Sequence, residues 1–314
     1  MKIGIAGLGK MGGRMAEKLV YEGEEVVVWN RTHEKAVDLA NKLAGNQNIS
    51  VANNIEELVK SLPAPRVVLT MLPAGEPTEN LLNEVARLLE KDDILIDAGN
   101  SYFKDTERRA QVFEQMGIRY LGMGVSGGII AGTEGYPQMV GGNKSAYDYV
   151  APILDSLAKP NGGHEYFGPG GAGHFVKMVH NGIEYPIMQA LGEGFGILAA
   201  SEYNFDLLKI AKLYQKGTLV SGFMLDRAAE ALENDPRLEN IEGVIGSASQ
   251  ETIWTIEEAK KAGVPVESIE QAQQFRVRSE TDSGVQNSFA AHMVGALRIT
   301  FGGHPVKLKD DSDK

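Results

Sequence analysis

KIGIAGLGKMGGRM, residues 2–15, decides how the chain is read: an apolar run ends on Gly7, Gly9 and Gly12 in GxGxxG spacing, and a helix-forming segment follows at once. A strand that stops at a tight glycine turn and opens into a helix leaves backbone amides at the positive end of the helix dipole, where a pyrophosphate can sit. The pattern alone is weak. Its context is stronger, because a second apolar run, VVVW at 26–29, follows within the length of one βαβ unit. Gly7, Leu8, Gly9, Lys10, Met11 and Gly12 are therefore expected to hold a dinucleotide. At the end of the second strand an NAD-selective site usually offers a carboxylate to the ribose hydroxyls. Asn30, Arg31 and Thr32 stand there instead, and an arginine suits a 2′-phosphate, so NADP is expected, with NAD as the alternative.

Outward from this unit, apolar runs at 3–6, 26–29, 67–71, 94–97 and 120–121 alternate with amphipathic stretches near 11–22, 34–45, 78–90 and 104–116. Such alternation predicts a doubly wound, mostly parallel α/β sheet, a Rossmann domain over 1–172. Beyond about residue 173 the strand signal fades. Helices are predicted near 173–200, 205–217, 222–233, 250–262, 266–280 and 285–300, which makes 173–314 an all-α domain for substrate binding and oligomerisation. The break is set at GPGGAG, 168–173, expected to be a flexible turn at a junction where a ligand cleft forms. The final DDSDK is expected to be a polar tail.

The chain has 314 residues, 43% of them hydrophobic and 23% charged, as an ordinary two-domain globular protein has. With no cysteine, disulfides, thiolate metal sites and cysteine nucleophiles are excluded. A net charge of −11 with scattered Lys and Arg argues against nucleic acid as a partner. No apolar run reaches membrane length and no basic leader precedes the first strand, so a cytoplasmic location without membrane attachment is expected.

One helical segment stands out. In KMVHNGIEY, 177–185, a winding of about 100° per residue brings Lys177, His180, Asn181, Glu184 and Tyr185 into one arc of roughly 140°. Phe175, Val179 and Ile183 gather on the opposite side, the expected core face. A solvated polar face would look the same, so the rest of the chain has to separate a surface from a site.

Seven phrases taken together, GLGKMG, NRT, MLPAGEPT, DAGNSYFKDT, GMGVSGG, GHFVKMVHNGIEY and ALRITFGGH, closely resemble the 6-phosphogluconate dehydrogenase family over nearly the whole chain, in its short form. The resemblance implies oxidation at C3 of 6-phosphogluconate with hydride transfer to the nicotinamide, then loss of CO₂ to give ribulose 5-phosphate, with no metal. On this carry-over Lys177 is the base that takes the C3 hydroxyl proton, with a pKa drawn toward neutrality, and Glu184 is the acid that protonates C1 of the enediol. His180 and Asn181 orient the substrate between them. Asn100, Ser126, Gly127 and Gly128 close on its carboxylate and hydroxyls, while Met71, Leu72, Pro73 and Asn100 contact the cofactor. For the phosphate the candidates are Tyr185, Arg276 (with Arg278 competing), Arg298 and His304. In the family the arginine and histidine of the tail commonly come from a neighbouring subunit, which implies a homodimer or homotetramer.

The chain departs from the family at SASQETIWT, 247–255, where relatives usually carry a glycine-rich, basic or GEGRW-like segment. The phosphate contact supplied there is open. Two other readings stand beside the first: a β-hydroxyacid dehydrogenase of the 3-hydroxyisobutyrate or tartronate semialdehyde type, which does not decarboxylate, and a dinucleotide-binding redox sensor without catalysis.

Overall fold

The computed structural model describes residues 1–246 and 249–302. In chain order the first elements are β1 (Lys2–Ala6), α1 (Lys10–Tyr21), β2 (Glu25–Trp29), α2 (His33–Lys42), β3 (Ile49–Val51), α3 (Ile55–Lys60), β4 (Val67–Thr70), α4 (Glu76–Ala86), β5 (Ile94–Asp97) and α5 (Phe103–Gln115). There follow β6 (Arg119–Val125), α6 (Ala131–Glu134), β7 (Pro137–Gly142), α7 (Lys144–Ala158) and β8 (Gly163–Tyr166). The rest is helical: α8 (Ala172–Ala200), α9 (Leu207–Tyr214), α10 (Phe223–Asn234), α11 (Gln250–Ala262), α12 (Glu267–Arg278), α13 (Ser283–Gln286) and α14 (Phe289–Gly302). The chain divides into two compact units, Met1–Met178 and Val179–Lys314, with the division inside α8.

The first unit is built on one eight-stranded sheet in the order β3-β2-β1-β4-β5-β6-β7-β8. Every neighbouring pair is parallel except β6 with β7, which is antiparallel. Because side chains alternate along a strand, Ile3, Ile5, Val26, Val28, Leu69, Ile94 and Ile96 pack on one face with Met15, Leu19 and Ile153. Val27, Val68 and Leu95 point to the other, with Leu58, Leu82, Val85 and Phe113. Both faces are covered, so β1, β4 and β5 read as continuous apolar runs. Strand order reverses between β1 and β4, the switch point at which doubly wound sheets bind ligands beyond their strand ends.

Six elements in this unit lie where the sequence reading placed none: β3, α3, α6, β7, α7 and β8. Helix α7 carries Pro152 inside it and opens on Asn143, whose side chain accepts from Ala146 N at 3.0 Å. A proline with small and polar neighbours hides a helical period from pattern reading. The GPGGAG stretch is also not a loose connector. A Cβ on Gly170 would lie 1.9 Å from Glu107 Oε2, one on Gly171 2.2 Å from Phe103 O, and one on Gly173 2.5 Å from Gly141 N. Gly171 N donates to Glu107 Oε2 at 2.8 Å. The glycines are there because α5 and β7 press against the chain, and the expected flexible turn is corrected to a packed one.

The second unit gathers Met188, Phe195, Leu207, Ala211, Leu225, Leu232, Met293, Val294 and Leu297 into its own core. Within it α8 and α14 approach closely enough that a Cβ on Gly192 would be 2.8 Å from Ala290 O. Among the described residues no helix is long and apolar enough to cross a membrane.

Candidate active site

The glycine turn is held from two sides. Gly7, at φ +102°, donates its N–H to Trp29 O at 3.0 Å. Asn30 braces the next residue: its Oδ1 accepts from Leu8 N at 2.9 Å and its Nδ2 donates to Thr32 O at 2.9 Å. The three glycines have different duties. A Cβ on Gly12 would sit 2.0 Å from Gly7 O, and one on Gly7 2.6 Å from Met71 O, so both are demanded by the backbone itself. A Cβ on Gly9 would meet nothing within 4 Å. The protein thus leaves open space at the N-cap of α1, where no side chain caps the helix. A pyrophosphate on the first-turn amides fits this arrangement. Lys10 is exposed and Met11 half-buried at the start of α1, while Arg31 and Thr32 are exposed beyond β2. Arg31 forms no ion pair among the described residues. Met71 and Leu72 are half-buried and Pro73 exposed at the end of β4, across the switch point.

Further along the same sheet edge, Asn100 is exposed in the loop after β5. Asp97 shapes that loop, accepting from Gly99 N at 3.1 Å and from Ser101 Oγ at 2.6 Å. After β6, Ser126 N donates to Pro137 O at 3.0 Å, and Gly127 and Gly128 take φ of +90° and +57°, conformations that favour glycine.

Strand β6 receives α8 through its glycines. A Cβ on Gly124 would lie 2.3 Å from Lys177 Cβ, and one on Gly122 3.0 Å from His174 Nδ1. Lys177 is 6% exposed as a result. His174, one turn before it, is a residue that sequence reading passed over inside the quoted GHFVKM phrase. Its Nδ1 lies 2.7 Å from Thr106 Oγ1, and burial pushes the imidazole pKa down, keeping it neutral. The signal for it was the GMG of β6, since glycine on alternate strand positions marks close approach of another element.

In the second unit, His180 Nδ1 is 3.2 Å from Asn181 Oδ1 and 3.9 Å from Glu184 Oε2. Tyr185 is buried, and its hydroxyl accepts from Ser249 N at 2.8 Å. The Arg276 guanidinium stacks on the Tyr185 ring, 3.4 Å from its centroid, and its Nη2 lies 3.5 Å from Met188 Sδ. Burial brings the Arg276 pKa down to about 10, and the nearby charge of Arg298 pushes the same way. Burial lowers Arg298 as well. Among the described residues neither arginine forms a salt bridge. Arg276 is buried and Arg298 half-buried, and Tyr185 and Glu184 act on both in the opposite direction, holding the charge on each guanidinium. Arg278 is exposed on α12, away from this cluster, and Arg298 joins it from the same chain. His304 and Ser247 lie outside the described residues.

The burial of α8 is the reverse of the expected one. Lys177, Asn181 and Tyr185 are 6%, 9% and 6% exposed, whereas Phe175 and Ile183, placed by the sequence reading on the core face, are 37% and 53% exposed. Amphipathic reading assumes that the apolar stripe turns inward. Here Lys177, Asn181 and Tyr185 turn inward, Tyr185 satisfied by Ser249 N and the arginine stack, while His180 and Glu184 are half-buried. No group of three or more His, Cys, Asp or Glu able to hold a metal ion exists among the described residues.

Two family models match the chain: the NAD binding domain of 6-phosphogluconate dehydrogenase over residues 2–170 and the 6-phosphogluconate dehydrogenase C-terminal domain over residues 173–288. A Haloferax volcanii protein named 6-phosphogluconate dehydrogenase, NAD(+)-dependent, decarboxylating, is 36% identical over 312 residues, 99% of this chain and 100% of the relative. A solved Plasmodium falciparum 6-phosphogluconate dehydrogenase, described as apo and in complexes with its cofactor NADP+ and its substrate 6-phosphogluconate, superposes with a TM-score of 0.80 at 30% identity. That match covers 89% of this chain and 62% of the Plasmodium chain. The fold is shared more widely: a Mycobacterium tuberculosis 3-hydroxyisobutyrate dehydrogenase gives a TM-score of 0.69 at 20% identity, over 93% of this chain and 97% of that one.

Proposed function

Because the chain belongs to the 6-phosphogluconate dehydrogenase family, an oxidoreductase family with an NAD(P)-binding domain, we propose that it oxidises and decarboxylates 6-phosphogluconate to ribulose 5-phosphate and CO₂. The observation that carries the reading is the Arg276–Arg298 pair, a buried and a half-buried guanidinium without a salt bridge among the described residues, suited to an anion beside the stripe bearing Glu184 and Tyr185. A phosphate remote from the substrate carboxylate supplies that anion, whereas an unphosphorylated hydroxy acid has only its one carboxylate, which this reading assigns to Ser126, Gly127 and Gly128.

The residues divide the work. Gly7, Leu8, Gly9, Lys10, Met11 and Gly12 hold the dinucleotide at the α1 N-terminus, with Met71, Leu72, Pro73 and Asn100 beside the nicotinamide end. Bound there, the cofactor supplies a hydride acceptor. Lys177 takes the proton from the C3 hydroxyl as that carbon is oxidised, and returns it to the ketone oxygen while the C1 carboxylate leaves as CO₂. Glu184 then delivers a proton to the carbon that bore the carboxylate, which becomes C1 of ribulose 5-phosphate, while Lys177 takes the enediol hydroxyl proton to leave the ketone. His180, Asn181, Ser126, Gly127 and Gly128 orient hydroxyls and carboxylate, and Tyr185, Arg276 and Arg298 hold the phosphate. No step needs a metal. Both proton-transfer groups belong to α8.

Arg31 supports NADP, since it stands exposed where a 2′-phosphate would lie. Oligomerisation is supported by α8 itself, whose Ile183, Ile187 and Ile197 are 53%, 45% and 74% exposed. A homodimer or homotetramer covering that stripe, with His304 of the tail serving a neighbouring copy, completes the reading.

The deciding experiment mixes purified protein with 6-phosphogluconate and either NADP or NAD, follows reduced cofactor and CO₂ together, and uses gluconate as the unphosphorylated control. Equimolar CO₂ and NADPH with 6-phosphogluconate alone is the expected result. Reduced cofactor without CO₂ would assign the chain to simple hydroxyacid oxidation, and a higher kcat/KM with NAD would overturn the cofactor preference.

A further inference from the structure

We infer that Arg109 is a positioning residue that locks the loop after β5, which carries Asn100, to the loop after β4, which carries Met71, Leu72 and Pro73; the inference rests on the reading that these loops hold substrate and cofactor. Arg109 lies on α5 with 2% exposure. Its Nε donates to Glu79 Oε2 at 2.7 Å, and its Nη1 donates to Asp97 Oδ2 at 3.2 Å and to Ser101 Oγ at 3.4 Å.

Each partner leads to one of the two loops. Glu79 stands in the first turn of α4, next to Thr78, whose hydroxyl donates to Pro73 O at 2.8 Å. The position of Glu79 is thereby the position of the loop after β4. Asp97 ends β5 and accepts from Gly99 N and Ser101 Oγ, so Asn100 is bracketed by two residues that one carboxylate fixes. Tyr120 OH adds a fourth donor to that carboxylate at 3.4 Å. The loops also touch directly, since a Cβ on Gly99 would be 2.6 Å from Leu72 O.

A planar guanidinium is suited to this task. Two of its nitrogens point to different loops at a fixed angle, which the single ammonium of lysine cannot do. Glu79 is held in turn by Arg108, through contacts of 3.1 Å and 2.7 Å, and the arginines bring its pKa down to about 2, so it stays ionised at any working pH. Buried ion pairs add little net stability over well-packed apolar side chains. Geometry is what this network supplies. Hydride transfer between separately bound partners is sensitive to displacements of an ångström or less.

Two variants test the inference, Arg109→Lys and the milder Glu79→Gln, with melting temperature as the folding control. Hydrogen exchange followed by mass spectrometry is expected to show amides of residues 99–101 opening about tenfold faster in Glu79→Gln, although Glu79 touches none of them. Unchanged exchange there in a folded Glu79→Gln protein overturns the proposal. With 6-phosphogluconate deuterated at C3, Arg109→Lys is expected to lower kcat about tenfold or more and to enlarge the isotope effect on kcat, while KM for each ligand shifts by less. A kcat that falls only with the folded fraction, at an unchanged isotope effect, also overturns it. Should the wild type fail to oxidise 6-phosphogluconate, the functional reading falls, and the exchange measurement still decides the role of Arg109. Should Arg109→Lys not fold, Glu79→Gln decides alone.

Discussion

Single residues in this chain separate duties that look alike in the sequence. Gly9 and Gly12 occupy the same motif, yet a methyl at Gly12 collides with Gly7 O while one at Gly9 meets only open space. Gly12→Ala is expected to lower stability by about 1–3 kcal/mol. Gly9→Ala is expected to keep the melting temperature and weaken dinucleotide binding at least about tenfold, read by NADPH fluorescence titration; equal losses in both variants would refute the distinction. His174 gives a pH signature. Burial lowers its pKa, so the unfolded chain binds the extra proton first and stability falls as pH drops below about 6.5. Above that pH both states are neutral and the contribution is complete. Thermal melts from pH 7.5 to 5 should therefore show a shallower decline in His174→Gln than in the wild type.

At the scale of elements, α8 carries the proposed acid–base groups on a stripe of which Lys177, Asn181 and Tyr185 are buried. Lys177→Met is expected to cost roughly 10²- to 10⁴-fold in kcat, with cofactor affinity retained, as the loss of an acid–base group should. Substitution of the outward stripe is expected to act elsewhere: Ile183→Glu should lower the assembly mass measured by light scattering. A change in kcat for dilute Ile183→Glu without any change in mass would argue against an interface there. The arrangement also marks the limit of pattern reading. The period of α8 was visible in the sequence, but which stripe faced inward depended on Ser249 and Arg276, residues far along the chain that partner the buried side. Strands β7 and β8 escaped for a related reason. QMVGG and GHEY carry too few apolar side chains to advertise a strand; β7 forms because β6 offers an edge to pair with, and β8 because β7 offers the next one.

For the whole molecule, the formal charge of −11 makes the arginine pair the more telling, since it concentrates positive charge inside an acidic protein. Anion binding should relieve it. Inorganic phosphate at millimolar concentration is expected to raise the melting temperature of the wild type, and Arg276→Met to abolish that gain while raising KM for the phosphorylated substrate about tenfold or more. An undiminished phosphate response in the variant would place the anion elsewhere. The sequence by itself determined the doubly wound domain, the helical domain after it and the glycine turn, because strand alternation, helical period and φ-permissive glycines are local properties. Only the tertiary structure decided that Gly9 faces open space, that Arg276 is buried within reach of the Arg298 charge while Arg278 is exposed, and that Arg109 joins two loops. Those facts depend on distances between residues remote in the chain, which close packing fixes and no local pattern encodes.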